Sequence, residues 1–198
     1  MGQGGRFIIS ICGSAGSGKS SAAKCLAEEL GNDLAVRIPT DYFLKSRVNE
    51  SLKSYFSKPF SYDWELLNEV IDVTLNKKVY TPDFDFFSFT RKSLIGKEFS
   101  ARKIVILDSM LPHPLSNYVV KLEVSDGIRK DRIRERDKIW KSKAIKRWKT
   151  HQLTKRKLDE FGNIDLLLDG GGDLKNNLFK IISSLKKRFP WVVPPPTH

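Results

Sequence analysis

The sequence predicts an α/β fold: a five-stranded, mainly parallel sheet flanked by helices. Three observations carry that prediction. The run at 7–12 is apolar on both faces, as strands buried between two layers are, and further short strand-like runs lie at 34–38, 104–107, 119–124 and 164–168. Segments with helical periodicity lie between them. The first strand also runs straight into a glycine-rich loop and then a helix. With 198 residues the chain suits one compact domain over 1–198.

Taken in order, FIISIC at 7–12 is the first strand. The segment 19–30 is a helix with Ala22, Ala23, Leu26 and Leu30 on one face, ended by Gly31-Asn32. The strand at 34–38 follows, and Asp41 stands at its carboxyl end, the edge where ligands sit in open α/β sheets. Residues 45–60 are polar and read as a mobile loop. Trp64, Leu67, Val70, Ile71 and Leu75 recur at helical spacing and place a core-facing helix over 62–76, with Lys77-Lys78 at its negative end. The stretch 81–91 packs four Phe into six residues beside Asp85 and Arg91, a composition suited to a substrate pocket wall. Strand 104–107 ends in Asp108. His113 lies between two prolines in a turn. After the last strand, Asp173 caps a helix reaching about residue 188, and residues 190–198 form a proline-rich tail.

The chain carries a net charge of +12, and residues 121–157 hold fifteen Lys/Arg against five Asp/Glu. An anionic partner therefore meets one segment. Arg129, Arg132 and Arg136 share a helical face there, with Asp126 as the expected cap, and about 126–160 reads as a basic lid. No apolar run is long enough to span a bilayer, and the first residues lack the apolar region of a signal peptide. Two cysteines, Cys12 and Cys25, argue against a disulfide framework and for a cytoplasmic location.

The loop specifies the chemistry. Gly13-Ser14-Ala15-Gly16-Ser17-Gly18-Lys19-Ser20 is G-x-x-x-x-G-K-[ST] in a strand–loop–helix setting. Its glycines bare backbone N–H groups toward an anion, and the helix that follows aims its positive end at the same spot. A nucleoside triphosphate is thus expected at Gly13 to Ser20 and Ser21, with Lys19 on the terminal phosphates. Ser20 and Asp108 are expected on Mg²⁺. The loop implies a P-loop NTPase fold.

At Asp41-Tyr42-Phe43, Tyr62-Asp63-Trp64, 82–91, 104–111 and 129–137 the sequence resembles the uridine kinase / phosphoribulokinase-like family. The resemblance implies the nucleoside-kinase-like type of that fold, an acceptor hydroxyl deprotonated by Asp41 and a pocket containing Tyr42, Phe84, Asp85, Phe89 and Arg91. It also implies a lid in which Arg129, Arg132 and Arg136 meet the transferring group. Where the family carries a Tyr and a His that bond a pyrimidine base, this chain has Phe84 and Phe89. Its Asp108-Ser109-Met110 replaces the family's E-G-I. Phe can stack but cannot donate, so the polar readout of a pyrimidine is lost.

These readings converge on an ATP- and Mg²⁺-dependent kinase, a phosphotransferase with an alcohol-group acceptor of nucleoside, sugar or vitamin type. Asp41 at a strand end is expected to ionise at neutral pH without special tuning. The alternatives are a nucleic-acid-binding ATPase, to which the basic segment with Trp140 and Trp148 would contribute, or a nucleotide-binding protein that has lost catalysis. Nucleic acid is the less favoured partner, a membrane is not expected, and a homo-oligomer is compatible with the sequence.

Overall fold

A computed structural model describes residues 5–57, 62–140 and 144–192. In chain order the strands are β1 (Phe7–Cys12), β2 (Ala35–Pro39), β3 (Lys78–Tyr80), β4 (Asp83–Asp85), β5 (Thr90–Ser93), β6 (Glu98–Ser100), β7 (Ile104–Ser109), β8 (Tyr118–Glu123) and β9 (Leu166–Asp169). The α-helices are α1 (Lys19–Leu30), α2 (Leu52–Ser57), α3 (Trp64–Ile71), α4 (Asp126–Trp140), α5 (Trp148–Asp159) and α6 (Leu174–Arg188).

Five strands form one all-parallel sheet in the order β2-β7-β1-β8-β9. Parallel strands need crossovers, and the helices that supply them cover both faces. Side chains alternate along β1. Ile9 and Ile11 face α1 and α6, packing with Ala22, Ala23, Leu26, Ile181 and Leu185. Ile8 faces the other way, toward Leu67 and Ile71 of α3. Leu158 of α5 covers Cys12 and Val119 on β1 and β8. Helix α6 begins where Asp173 accepts a hydrogen bond from the Asn176 amide at 2.8 Å. The chain is docked as far as Val192, which is buried, and Trp191 packs edge-on against Phe7. The rest of the proline-rich tail, 193–198, lies outside the described residues.

Four expectations need correction. Residues 52–57 form α2 instead of a mobile loop, because Tyr55 and Phe56 bury themselves against Phe89. Residues 58–60 of the expected loop lie outside the described residues. Helix α3 ends at Ile71, and Leu75 is exposed. Asn76, at φ 63, turns the chain, so Lys78 opens β3 instead of capping a helix. The stretch 78–100 builds two small antiparallel sheets, β3 with β6 and β4 with β5. Finally, Ser125 stands at the start of α4, its hydroxyl accepting from the Ile128 amide at 3.5 Å. Asp126 instead reaches sideways to Arg129 and Gln152. Among the described residues no helix is long and apolar enough to cross a membrane.

Asp173→Ala should lower stability by about 1 kcal/mol in urea titration, the usual cost of losing such a cap.

Candidate active site

The loop between β1 and α1 sorts its backbone polarity. The Ser17 amide closes a turn onto the Ser14 carbonyl at 3.0 Å, and Gly18 precedes α1 in the left-handed region at φ 92. The amides of Gly16, Gly18, Lys19 and Ser20 have no acceptor among the described residues. The carbonyl side is held from outside. Arg129 Nε donates to the Ala15 carbonyl at 3.0 Å. Arg132 Nη1 donates to the carbonyls of Gly16, at 3.2 Å, and Gly170, at 2.8 Å. Gly16 has φ 83, and a β-carbon there would lie 2.8 Å from the Arg129 carbonyl, so this contact requires glycine.

Asp41 and Asp108 stand at the carboxyl ends of neighbouring strands, Pro39 of β2 lying in register with Asp108 of β7. Ser20 Oγ donates to Asp108 Oδ1 at 3.2 Å. The other oxygen, Oδ2, is taken by Arg37 of β2. Arg37 was not singled out from the sequence, although a cation inside the apolar run Ala35–Pro39 is itself a signal. One hydroxyl and one carboxylate oxygen thus converge as hard ligands suited to Mg²⁺. Among the described residues no group of three His, Cys, Asp or Glu side chains could hold a metal unaided. Further ligands would therefore have to come from phosphate oxygens and water.

Asp41 sits in the turn Thr40–Phe43 and accepts from Tyr62 Oη at 3.3 Å. Tyr62 also receives the Met110 amide at 3.3 Å and stacks on Trp64, so the phenol is fixed from three sides. Burial raises the pKa of Asp41 above the ordinary aspartate value. Lys19, the Tyr62 hydrogen bond and Arg136 pull it down, and the nearby charge of Asp108 pushes it up. The expectation of an untuned carboxylate is therefore corrected.

Asp41, Lys19, Ala15 and Arg136 open onto one cavity of about 330 Å³. Its apolar wall is Leu44, Phe56, Phe86, Phe89 and Met110. Arg147 and His151 enter from the segment around α5. Of the expected pocket residues, Phe89 lines this cavity and Phe84 stands behind it, 5.2 Å from the Phe86 ring. Tyr42 packs on the other side of Phe86 at 5.5 Å. Asp85 folds the turn that carries these rings, accepting from the Phe87 amide at 2.8 Å and Ser88 Oγ at 3.0 Å. Arg91 pairs with Asp63, the cap of α3, at 2.9 Å. Tyr42, Phe84, Asp85 and Arg91 thus shape the wall without facing the cavity. A wider groove of about 640 Å³ lies between β8, β9 and α5. Its Lys121 is already paired with Glu123 and Asp159.

The three arginines expected in a lid are not equivalent. Arg129 is 1% exposed, pairs with Asp126 at 2.8 Å, and lies under Trp148 with its Cζ 4.8 Å from the ring centre. Arg132 is bound to the loop carbonyls. Arg136 alone of the three lines the cavity with Lys19 and Asp41. Ser14 and Ser17 are buried within the loop, and Ser21 is exposed on α1.

No family model matches the chain. Over 119 residues it is 29% identical to a uridine kinase of Staphylococcus aureus strain JH9, a match covering 58% of this chain and 56% of that protein. The chain thus spans little more than half the length of the curated relatives it matches. Two solved structures share its fold. A candidate fructose transport system kinase of Silicibacter sp. TM1040 has a TM-score of 0.61 at 20% identity, covering 84% of this chain and 91% of that one. A candidate uridine kinase of Bacillus stearothermophilus has a TM-score of 0.52 at 16% identity, covering 85% and 91%. The fold is that of P-loop kinases, and in sequence the chain resembles uridine kinases.

Arg129→Gln should cost roughly 2–3 kcal/mol in urea titration, because buried charged hydrogen bonds are lost. Arg132→Gln, on the exposed side, should cost under about 1 kcal/mol. Equal costs would place the brace elsewhere.

Proposed function

We propose that the protein is an ATP-dependent kinase that transfers the γ-phosphoryl group to a hydroxyl of a small molecule. The observation that supports this most is the meeting of Lys19, Asp41 and Arg136 in one cavity beside the unbonded loop amides. Residues Gly13 to Ser21 would hold the triphosphate through those amides and Lys19. The acceptor oxygen attacks the γ-phosphorus, and the bond from that phosphorus to its bridging oxygen breaks, releasing ADP. The hydroxyl proton passes to the Asp41 carboxylate. Lys19 and Arg136 would neutralise charge on the transferring group. Mg²⁺, bound by Ser20 and Asp108 with phosphate oxygens and water, would supply further charge neutralisation. Arg37 is a positioning residue in this reading: it fixes Asp108 Oδ2 and leaves Oδ1 for the metal side. Arg129 and Arg132 act indirectly, by holding the loop open toward the phosphates.

Tyr62 gives Asp41 a fixed direction, while burial raises its pKa. A base must be unprotonated to accept a proton. Turnover should therefore fall as pH drops through that raised value, above the range of an ordinary aspartate. A kcat profile against pH, with the protein intact throughout, checks this. Asp41→Asn should lower kcat by roughly 10²–10⁴-fold while ATP affinity stays within about threefold, measured by calorimetry. Equal loss of ATP binding would make Asp41 part of the nucleotide site.

A further inference from the structure

The cavity that holds Asp41 contains a cation the phosphoryl transfer does not require. Arg147 ends the turn Ala144–Arg147 ahead of α5. Its Nη1 donates to the Phe86 carbonyl at 3.1 Å, and its Cζ lies 5.2 Å from the centre of the Phe89 ring. Among the described residues it makes no ion pair. Asp137 is the acid whose field reaches it, but both Asp137 oxygens are occupied by the amides of Ala144 and Ile145, each at 2.8 Å. A guanidinium partly withdrawn from water and left without a carboxylate is costly unless something anionic completes it.

The surface beneath Arg147 is built at some expense. Phe89 adopts φ 59, a left-handed backbone that is unfavourable for any side chain beyond glycine. The turn is held by the Phe89 amide on the Asp85 carbonyl at 2.8 Å and the Arg47 amide on the Phe89 carbonyl at 2.7 Å. Its effect is to lay the ring between Phe56, at 5.3 Å, and Arg147. The other cations divide their work differently. Lys19 and Arg136 act on the charge of Asp41, whereas Arg147 bonds at Phe86 and Phe89. His151 Nε2 lies 3.2 Å from the Ala144 carbonyl and so carries the proton, which leaves Nδ1 as an acceptor. Burial holds its pKa down at about 4, so the ring stays neutral at physiological pH.

Resting on the kinase reading above, we propose that the acceptor is an anionic hydroxy compound. A flat or apolar body lies against Phe86 and Phe89, a carboxylate or phosphate meets Arg147, and the reacting hydroxyl reaches Asp41. A guanidinium suits either anion, since both offer the paired oxygens its fork matches. An uncharged pyrimidine nucleoside would leave Arg147 without its counter-charge.

The test uses matched acceptors that differ in charge: nicotinate riboside against nicotinamide riboside, glycerate against glycerol, and ribose 5-phosphate against ribose, with uridine alongside. ADP release with Mg-ATP reads transfer. Calorimetry with a non-hydrolysable ATP analogue reads acceptor binding separately. The anionic member of at least one pair should be favoured about tenfold or more in kcat/KM or in affinity, and the favoured pair identifies carboxylate or phosphate. Arg147→Gln should raise KM for that acceptor about tenfold while leaving KM for ATP unchanged, and Arg147→Lys should recover part of the loss. Transfer to a neutral member as fast as to its anion overturns this inference and leaves the kinase reading standing. Anion-selective binding without transfer overturns the kinase reading and leaves the pocket assignment standing. Absence of both for every anion overturns the inference. So does an Arg147→Gln variant whose defect lies in KM for ATP, which would place Arg147 on the transferring phosphate.

Discussion

To bind a phosphate as proposed, a loop has to leave its own amides unbonded, and that is the constraint on which this structure turns. Backbone N–H groups without partners are unfavourable once they leave water, so such a loop needs rigid support on its other side. Here the support is guanidinium. Arg129 and Arg132, one helical turn apart on α4, take the carbonyls of Ala15 and Gly16. The donors are thereby left facing the ligand side. Gly16 completes the fit, because only a residue without a β-carbon lets α4 approach so closely. The same constraint explains why α4 follows β8, which lies directly beside β1 in the sheet.

The loop, α1, the positions of the five main strands and the two strand-end acids were legible in the sequence because each rests on local signals. Apolar runs, a glycine pattern and a capping Asp173 need no knowledge of distant neighbours. What was not legible depends on tertiary partners. Tyr55 and Phe56 sit in a polar segment whose helix forms only because Phe89 is there to cover them. The spacing of Arg129, Arg132 and Arg136 put them on one side of α4, yet spacing cannot say that the first is buried under Trp148 while the third faces a cavity. Asp85 and Arg91 carry charges suited to a pocket but spend them on a turn and on Asp63. Tyr62, Arg37 and Arg147 left weaker traces, and their importance comes from side chains far away in sequence.

Charge is distributed over the site with a consistent logic. Each acid near the loop has a designated cation or donor: Arg37 for Asp108, Tyr62 and Lys19 for Asp41, Arg129 for Asp126. Asp41 is nevertheless buried enough for its proton affinity to rise, a combination that fits the proton-accepting role proposed for it. The aromatic wall lines the same space with apolar surface, which strengthens charge interactions beside it. Phe89 is part of this apolar lining, and Phe84 packs behind it against Phe86.

In the proposed function the unbonded amides between β1 and α1 grip a polyphosphate. The most direct test is to follow backbone amide NMR resonances while Mg-ATP is added to the intact protein. The largest shifts should fall at Gly16, Gly18, Lys19 and Ser20, with slowed exchange of those amides with solvent. Resonances there that stay unmoved while others respond would contradict that proposal.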